Sequence, residues 1–260
     1  MMRSLPTMKT IVAGNWKMHK DHAEALALID EIAKERDTLP QNVVVVVAPA
    51  YPFLAEAAER LPNVIVAAQN CHFAEQGAYT GEVSVAMLKS IGVSACIVGH
   101  SERRQYFGET DADVAKKIVT LLAHGLIPIY CCGEREEERK AGKHFDVVSG
   151  QMKEALGGLA NEQLVKVVVA YEPVWAIGTG LTASAEQAQE MHAHIRSLLR
   201  SHGDPVALNV PILYGGSCKP DNAESLFSNA DVNGGLIGGA ALKASDFLEL
   251  VRIAGKTNKP

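Results

Sequence analysis

The sequence predicts an α/β protein built as a single closed (β/α)8 barrel, and three observations lead there. Eight apolar runs recur along 260 residues, with polar stretches of helical character between them. No Pro/Gly/Ser-rich linker divides the chain, and barrels of this kind reach about 250 residues as one domain. Strands alternating with helices imply a parallel sheet with right-handed crossovers. Pattern alone leaves an open doubly wound sheet as the rival, because the two are made of the same units. The barrel is expected over residues 9–260. Residues 1–8 fall outside the pattern and read as an N-terminal extension, expected to be disordered.

The first apolar run spans residues 10–14. A helical stripe follows it, with Leu26, Ile29 and Ala33 on one face and Glu24, Asp30, Glu31 and Lys34 turned outward. The second run, 43–48, opens with five consecutive valines. Their β-branching favours a strand, and the lack of alternation favours one buried on both faces. Runs 64–68 and 95–99 supply the third and fourth strands. Val114, Ile118 and Leu121 form a helical stripe ahead of the fifth run, 127–132. Runs 167–171, 210–214 and 236–238 complete the eight. Leu248 with Val251 marks the helix that closes the series.

Composition narrows the function classes. With 47% hydrophobic residues the chain can bury a substantial core. A net charge of −5 and the absence of any run of five basic residues argue against nucleic-acid binding, which needs a concentrated basic patch. No segment approaches the roughly 18 apolar residues of a membrane span, and the first residues lack the apolar core of a signal peptide. Five cysteines are an odd count without a metal-type CxxC spacing. Reduced thiols in the cytoplasm are the simpler reading.

In a barrel, the C-terminal strand ends converge on one face, and chemistry is sought there. The first strand ends in Gly14-Asn15-Trp16-Lys17, the fourth in Gly99-His100-Ser101-Glu102-Arg103 and the fifth in Cys131-Cys132-Gly133-Glu134. The sixth ends at Glu172, the seventh in Tyr214-Gly215-Gly216-Ser217 and the eighth in Gly238-Gly239-Ala240. Glycines let backbone N–H groups approach a phosphate closely, and Ser217 adds a hydroxyl. Lys17 can stabilise a developing anion, and Glu172 is a candidate general base. Ser101 reads as an N-cap, which would set the His100 ring at a helix start whose dipole disfavours imidazolium. Glu172 is followed by Pro173, a short apolar segment and two glycines, the composition of a hinged lid. Taken singly, each feature has an ordinary explanation: a solvated lysine, a capping histidine, a glycine turn. Their joint placement at one end of one barrel favours the chemical reading. Neither a metal cluster nor a dinucleotide fingerprint accompanies them. The remaining histidines lie off the strand ends and read as structural.

Four segments, Ala13-Gly14-Asn15-Trp16-Lys17-Met18, Gly99-His100-Ser101-Glu102-Arg103-Arg104, the decapeptide from Tyr171 to Gly180, and Tyr214-Gly215-Gly216-Ser217, resemble triosephosphate isomerase signatures. The resemblance runs in order from about residue 9 to 254. It implies a TIM barrel that interconverts dihydroxyacetone phosphate and D-glyceraldehyde 3-phosphate through an enediolate, without a cofactor, in glycolysis and gluconeogenesis. By position it implies Glu172 as the base, His100 as a neutral electrophile, Lys17 as the balancing charge and Asn15 as a substrate-positioning amide. Gly178, Ser217, Gly238 and Gly239 match the phosphate-binding positions. Glu102 matches a carboxylate beside the lysine, and Cys131 a thiol that supports the base. The segment 77–82 resembles a loop that reaches into a neighbouring subunit, which implies a homodimer. Asn233, Gly235 and Lys219 depart from the usual pattern, and the expectation is that they affect only local loop packing. Two rivals remain: a Schiff-base aldolase, which would want a desolvated lysine within a strand, and a binding protein that kept the scaffold without the activity.

Overall fold

In the computed structural model, which describes residues 10–178 and 181–257, eight parallel strands form a closed barrel in chain order. They are β1 (Thr10–Asn15), β2 (Val43–Ala48), β3 (Ile65–Ala68), β4 (Ala95–Val98), β5 (Ile127–Cys132), β6 (Val168–Tyr171), β7 (Ile212–Tyr214) and β8 (Gly234–Ile237). Closure is made by β8 pairing with β1, Ile11 opposite Gly234 and Gly14 opposite Ile237. An open sheet would leave both of those edges unpaired, so the doubly wound rival is excluded. The expected extension 1–8, and Thr179 with Gly180 of the expected lid, lie outside the described residues.

Strand side chains alternate between two apolar layers because successive residues point to opposite faces. Ile11, Ala13, Val46, Ile65, Ile97, Ile129, Val168 and Leu213 fill the barrel interior. Val12, Val45, Val47, Val66, Val98, Val169 and Ile212 face outward under the helices. The five-valine run therefore serves both layers. The principal outer helices are α1 (His22–Glu35), α2 (Leu54–Arg60), α3 (Val85–Ser90), α4 (Ser101–Phe107), α5 (Asp111–Ala123), α6 (Glu136–Lys140), α7 (His144–Leu156), α8 (Asn161–Leu164), α9 (Ala185–Arg200), α10 (Asp204–Asn209), α11 (Ala223–Phe227) and α12 (Ala244–Lys256). Val114, Ile118 and Leu121 are buried on α5, and Leu248 and Val251 on α12. Among the described residues no helix is long and apolar enough to cross a membrane.

Three sequence expectations need correction. The buried stripe of α1 is Ala25, Leu28, Ile29 and Ile32. Leu26 and Ala33 only flank it, half-buried against the core, and Asp30 is half-buried where it pairs with Arg60 at 2.8 Å. β8 begins at Gly234, two residues before the apolar run, because glycine is required there. Gly234 has φ +108°, and a Cβ on it would lie 2.0 Å from the Ile11 carbonyl oxygen. A strand opening on two glycines has no hydrophobic signal to read.

Asn233 is no matter of loop packing. It is buried, and its Oδ1 accepts from the Arg196 guanidinium (2.6 Å) and from the Ile212 N–H (3.0 Å). Arg196 also donates to the carbonyls of Ala207 and Val210, 2.6 Å each, with Asp231 facing its Nε at 3.3 Å. One carboxylate already balances that buried cation, so a neutral amide at 233 completes the hydrogen bonding without a surplus charge.

Candidate active site

Four side chains converge where β1, β4 and β6 end. Asn15 is the last residue of β1, and its Oδ1 accepts the Lys17 N–H at 3.0 Å. Lys17 adopts φ +54°, a left-handed conformation uncommon for a residue with a Cβ. Strain of that kind persists only where surrounding contacts hold it, and it concentrates at functional sites. The Lys17 ammonium meets Glu102 Oε1 at 2.6 Å. That contact disfavours the aldolase reading, since the amine is engaged by a carboxylate on a loop rather than desolvated in a strand.

His100 caps α4 itself: its Nδ1 accepts the Glu102 N–H at 3.2 Å. Ser101, read from sequence as the cap, is the first helical residue instead. The difference matters chemically. With Nδ1 occupied as an acceptor, the proton of a neutral ring belongs on Nε2. Nε2 lies 3.1 Å from Glu172 Oε1.

Glu172 is buried, with 1% of its surface exposed. Its two oxygens accept from the Ser101 N–H (2.8 Å) and the Ser101 hydroxyl (3.1 Å). Its backbone is fixed as well, because its N–H donates to the Cys132 carbonyl at 2.8 Å. Gly133 and Gly215 leave room for this residue. A Cβ on Gly133 would sit 1.7 Å from the Glu172 carbonyl oxygen, and one on Gly215 2.9 Å from its Cγ. Cys131 lies in the barrel interior below, where burial first and the nearby Glu172 charge second push its thiol well up. It therefore stays protonated beside the carboxylate.

A cleft of about 500 Å³ opens at the C-terminal mouth of the barrel. Asn15, Lys17 and His100 line one part. Gly178, Ser217, Gly238 and Gly239 line the other, with Lys219, Lys243 and Asp246 at its rim. No group of three or more metal-ligating side chains occurs among the described residues. A cationic side chain, glycine-rich turns and a hydroxyl form a receptacle for a small phosphorylated molecule, with a carboxylate and an imidazole beside it.

Comparison with known proteins decides which phosphorylated molecule. The family model for triosephosphate isomerase matches residues 10–254. The triosephosphate isomerase of Flavobacterium johnsoniae is 53% identical over 246 residues, covering 94% of this chain and 98% of the relative. Those of Cytophaga hutchinsonii and Porphyromonas gingivalis are each 51% identical with the same coverage. The chain belongs to the triosephosphate isomerase family. It is accordingly a triose-phosphate isomerase in reaction class, an aldose–ketose isomerase whose family implies no cofactor. Of the site residues expected from sequence, Asn15, Lys17, His100, Gly178, Ser217, Gly238 and Gly239 line the cleft, and buried Glu172 lies against His100. Glu102 and Cys131 stand behind Lys17 and Glu172 respectively.

Sequence reading missed others. Ser101 was read as a cap, yet it holds the carboxylate of a residue 71 positions away. Gln69, the residue after β3, carries no charge or motif that marks it in the sequence. Glu134 was noted at a strand end without a role. It is fully buried, and its Oε1 accepts from Tyr171 Oη (3.0 Å), the Trp175 indole (2.8 Å) and Arg139 (3.2 Å). A carboxylate two residues past a strand, next to glycine, was the available signal.

Proposed function

We propose that Glu172 carries the proton between C1 and C2 of the triose phosphate, with His100, Lys17 and Asn15 stabilising the enediolate. The observation that supports this most is the meeting of buried Glu172 with His100 Nε2 at 3.1 Å, His100 lining the same cleft as Lys17. Glu172 takes the proton from the carbon next to the carbonyl. The C–H pair becomes the C=C bond of the enediolate, the carbonyl π pair moves onto its oxygen, and the His100 Nε2–H gives that oxygen its proton as charge develops. The Lys17 ammonium balances the anion, and the Asn15 amide fixes the substrate's orientation. His100 Nε2 then takes the hydroxyl proton from the neighbouring oxygen, that oxygen becomes the new carbonyl, and the C=C pair takes the proton back from Glu172 at the former carbonyl carbon, which completes the isomerisation. Both Glu172 oxygens are engaged by Ser101 in this structure, so the carboxylate must exchange those donors for substrate. The phosphate is received by Gly178, Ser217, Gly238 and Gly239.

The reading extends to a cytoplasmic homodimer working in glycolysis and gluconeogenesis. Five buried free cysteines suit a reducing compartment. The 77–82 segment is exposed, and the Tyr79 ring packs tilted against His72 with centroids 4.2 Å apart. The test of the whole reading is a coupled isomerase assay on purified protein, run with and without borohydride. Turnover without a reduced covalent adduct is expected. No turnover would favour a binding protein, and a trapped adduct an aldolase.

A further inference from the structure

β3 supplies none of the groups used above, yet Gln69, the residue after its last member, reaches back over β2 to β1. Its Nε2 donates to the carbonyl of Lys17 at 2.9 Å and to that of Ala48 at 2.8 Å. Two carbonyls facing one amide atom require that atom to be nitrogen, so the orientation of the amide is fixed. Ala48 ends β2, and its carbonyl also accepts the Trp16 N–H at 3.1 Å. One half-buried side chain thus joins the exits of three consecutive strands at the residue that bears the ammonium.

Lys17 needs such a tie. At φ +54° its backbone occupies a region that side-chain-bearing residues rarely adopt. The N–H is taken by Asn15 Oδ1 at 3.0 Å and the C=O by Gln69. With both peptide groups flanking its Cα fixed by side chains, the Cα–Cβ direction is set. That direction sends Nζ to Glu102 and brings Cε within 3.5 Å of where a Cβ on Gly238 would stand. The ammonium therefore arrives between its carboxylate partner and the glycine turn of the phosphate end.

We propose that Gln69 is a positioning residue for Lys17, holding its left-handed backbone so that the ammonium meets the anionic intermediate. This rests on the role proposed for Lys17 above. A Gln69 that only stabilised the barrel would lower the melting temperature, and its loss would multiply with any loss at Lys17. A positioning Gln69 behaves otherwise, because without the ammonium there is nothing left to aim.

The test is a double-mutant cycle with Gln69→Met, which keeps length and removes both donors, and Lys17→Met. Alone, Gln69→Met should lower kcat/KM for glyceraldehyde 3-phosphate by about 10- to 100-fold, the range for a misplacement near 1 Å. In the Lys17→Met background the same change should alter kcat/KM by less than about twofold, since residues acting as one unit are non-additive. Affinity for 2-phosphoglycolate, a probe that carries a carboxylate as well as a phosphate, should follow the same cycle. Gln69→Glu, isosteric but without a donor, is read through the identical cycle if Gln69→Met fails to fold. Multiplicative losses, or either single Gln69 variant within about twofold of wild type, overturn the proposal. An active wild type with an unimpaired Lys17→Met variant instead overturns the lysine role on which it rests.

Discussion

Glu172 is placed by groups on three different elements: Ser101 at the start of α4, the Cys132 carbonyl at the end of β5, and the space left by Gly133 and Gly215. A carboxylate so constrained has little freedom to compensate for a change in length. Glu172→Asp withdraws it by about 1 Å, a displacement that can cost around 10²-fold where geometry governs the step. We expect kcat to fall by at least that order, with KM changed less, in steady-state assays in both directions. A near wild-type kcat would remove Glu172 as the base. Lys17→Met makes the complementary case. It removes the charge and leaves Glu102 unpaired, but that carboxylate is 37% exposed and water can solvate it. The fold should therefore survive, while several kcal/mol of transition-state stabilisation are lost. Circular dichroism with kinetics separates the two effects, and an unfolded or fully active variant would contradict the assignment.

The segment after β6 shows how an element can be tethered at one end. The Val174 N–H donates to the Glu134 carbonyl at 3.1 Å, and the Trp175 indole to Glu134 Oε1 at 2.8 Å. Beyond this anchor Ala176 and Ile177 line the cleft, and Gly178, exposed at φ +70°, follows. If this segment is the lid expected from sequence, its first hinge is held by the β5 exit. An enediolate left open to water can expel phosphate and leave as methylglyoxal, so a closed lid should suppress that loss. Deleting residues 176–178 should lower isomerase turnover and raise methylglyoxal formed per turnover, with the barrel still folded. NMR of products from glyceraldehyde 3-phosphate measures both, and an unchanged product ratio would show that the segment is not a lid. Much of this was legible in sequence, because Glu172, Pro173 and the glycines sit within one short stretch. The anchor was not. Glu134 lies 41 residues from Trp175, and a contact across strands leaves no local pattern. The same holds for Ser101 with Glu172 and for Gln69 with Lys17. Strands rich in valine announced themselves, whereas β8 opens on glycines chosen for close approach and was read short.

Among the described residues, several exposed apolar side chains lie on or near the segment 69–87. Met18 is 93% exposed and follows Lys17, whose carbonyl Gln69 holds. Tyr51 donates its hydroxyl to the Asn70 carbonyl at 2.7 Å. Tyr79, 47% exposed, packs its ring against His72, which bridges Ser84. Met87, 57% exposed, lies on α3, the helix capped by Ser84. Exposed aromatic and methionine side chains gathered on one side of a barrel are the composition of a protein–protein interface rather than of a solvated face. The homodimer proposed above would set the exposed 77–82 segment against the same face of a second copy in a twofold arrangement. A stable dimer would bury about 800 Å² per subunit. Sedimentation equilibrium should therefore return twice the 27.8 kDa of one chain. Replacing residues 77–82 with a two-residue turn should shift the protein to the mass of a single chain while the far-ultraviolet spectrum keeps its α/β form. It should also lower activity, because the exits of β1 and β3 that hold Asn15, Lys17 and Gln69 border that surface and would be left facing water. An intact protein that sediments at the mass of one chain at micromolar concentration would refute the dimer, and a shortened variant that still sediments as a pair would move its interface to another face.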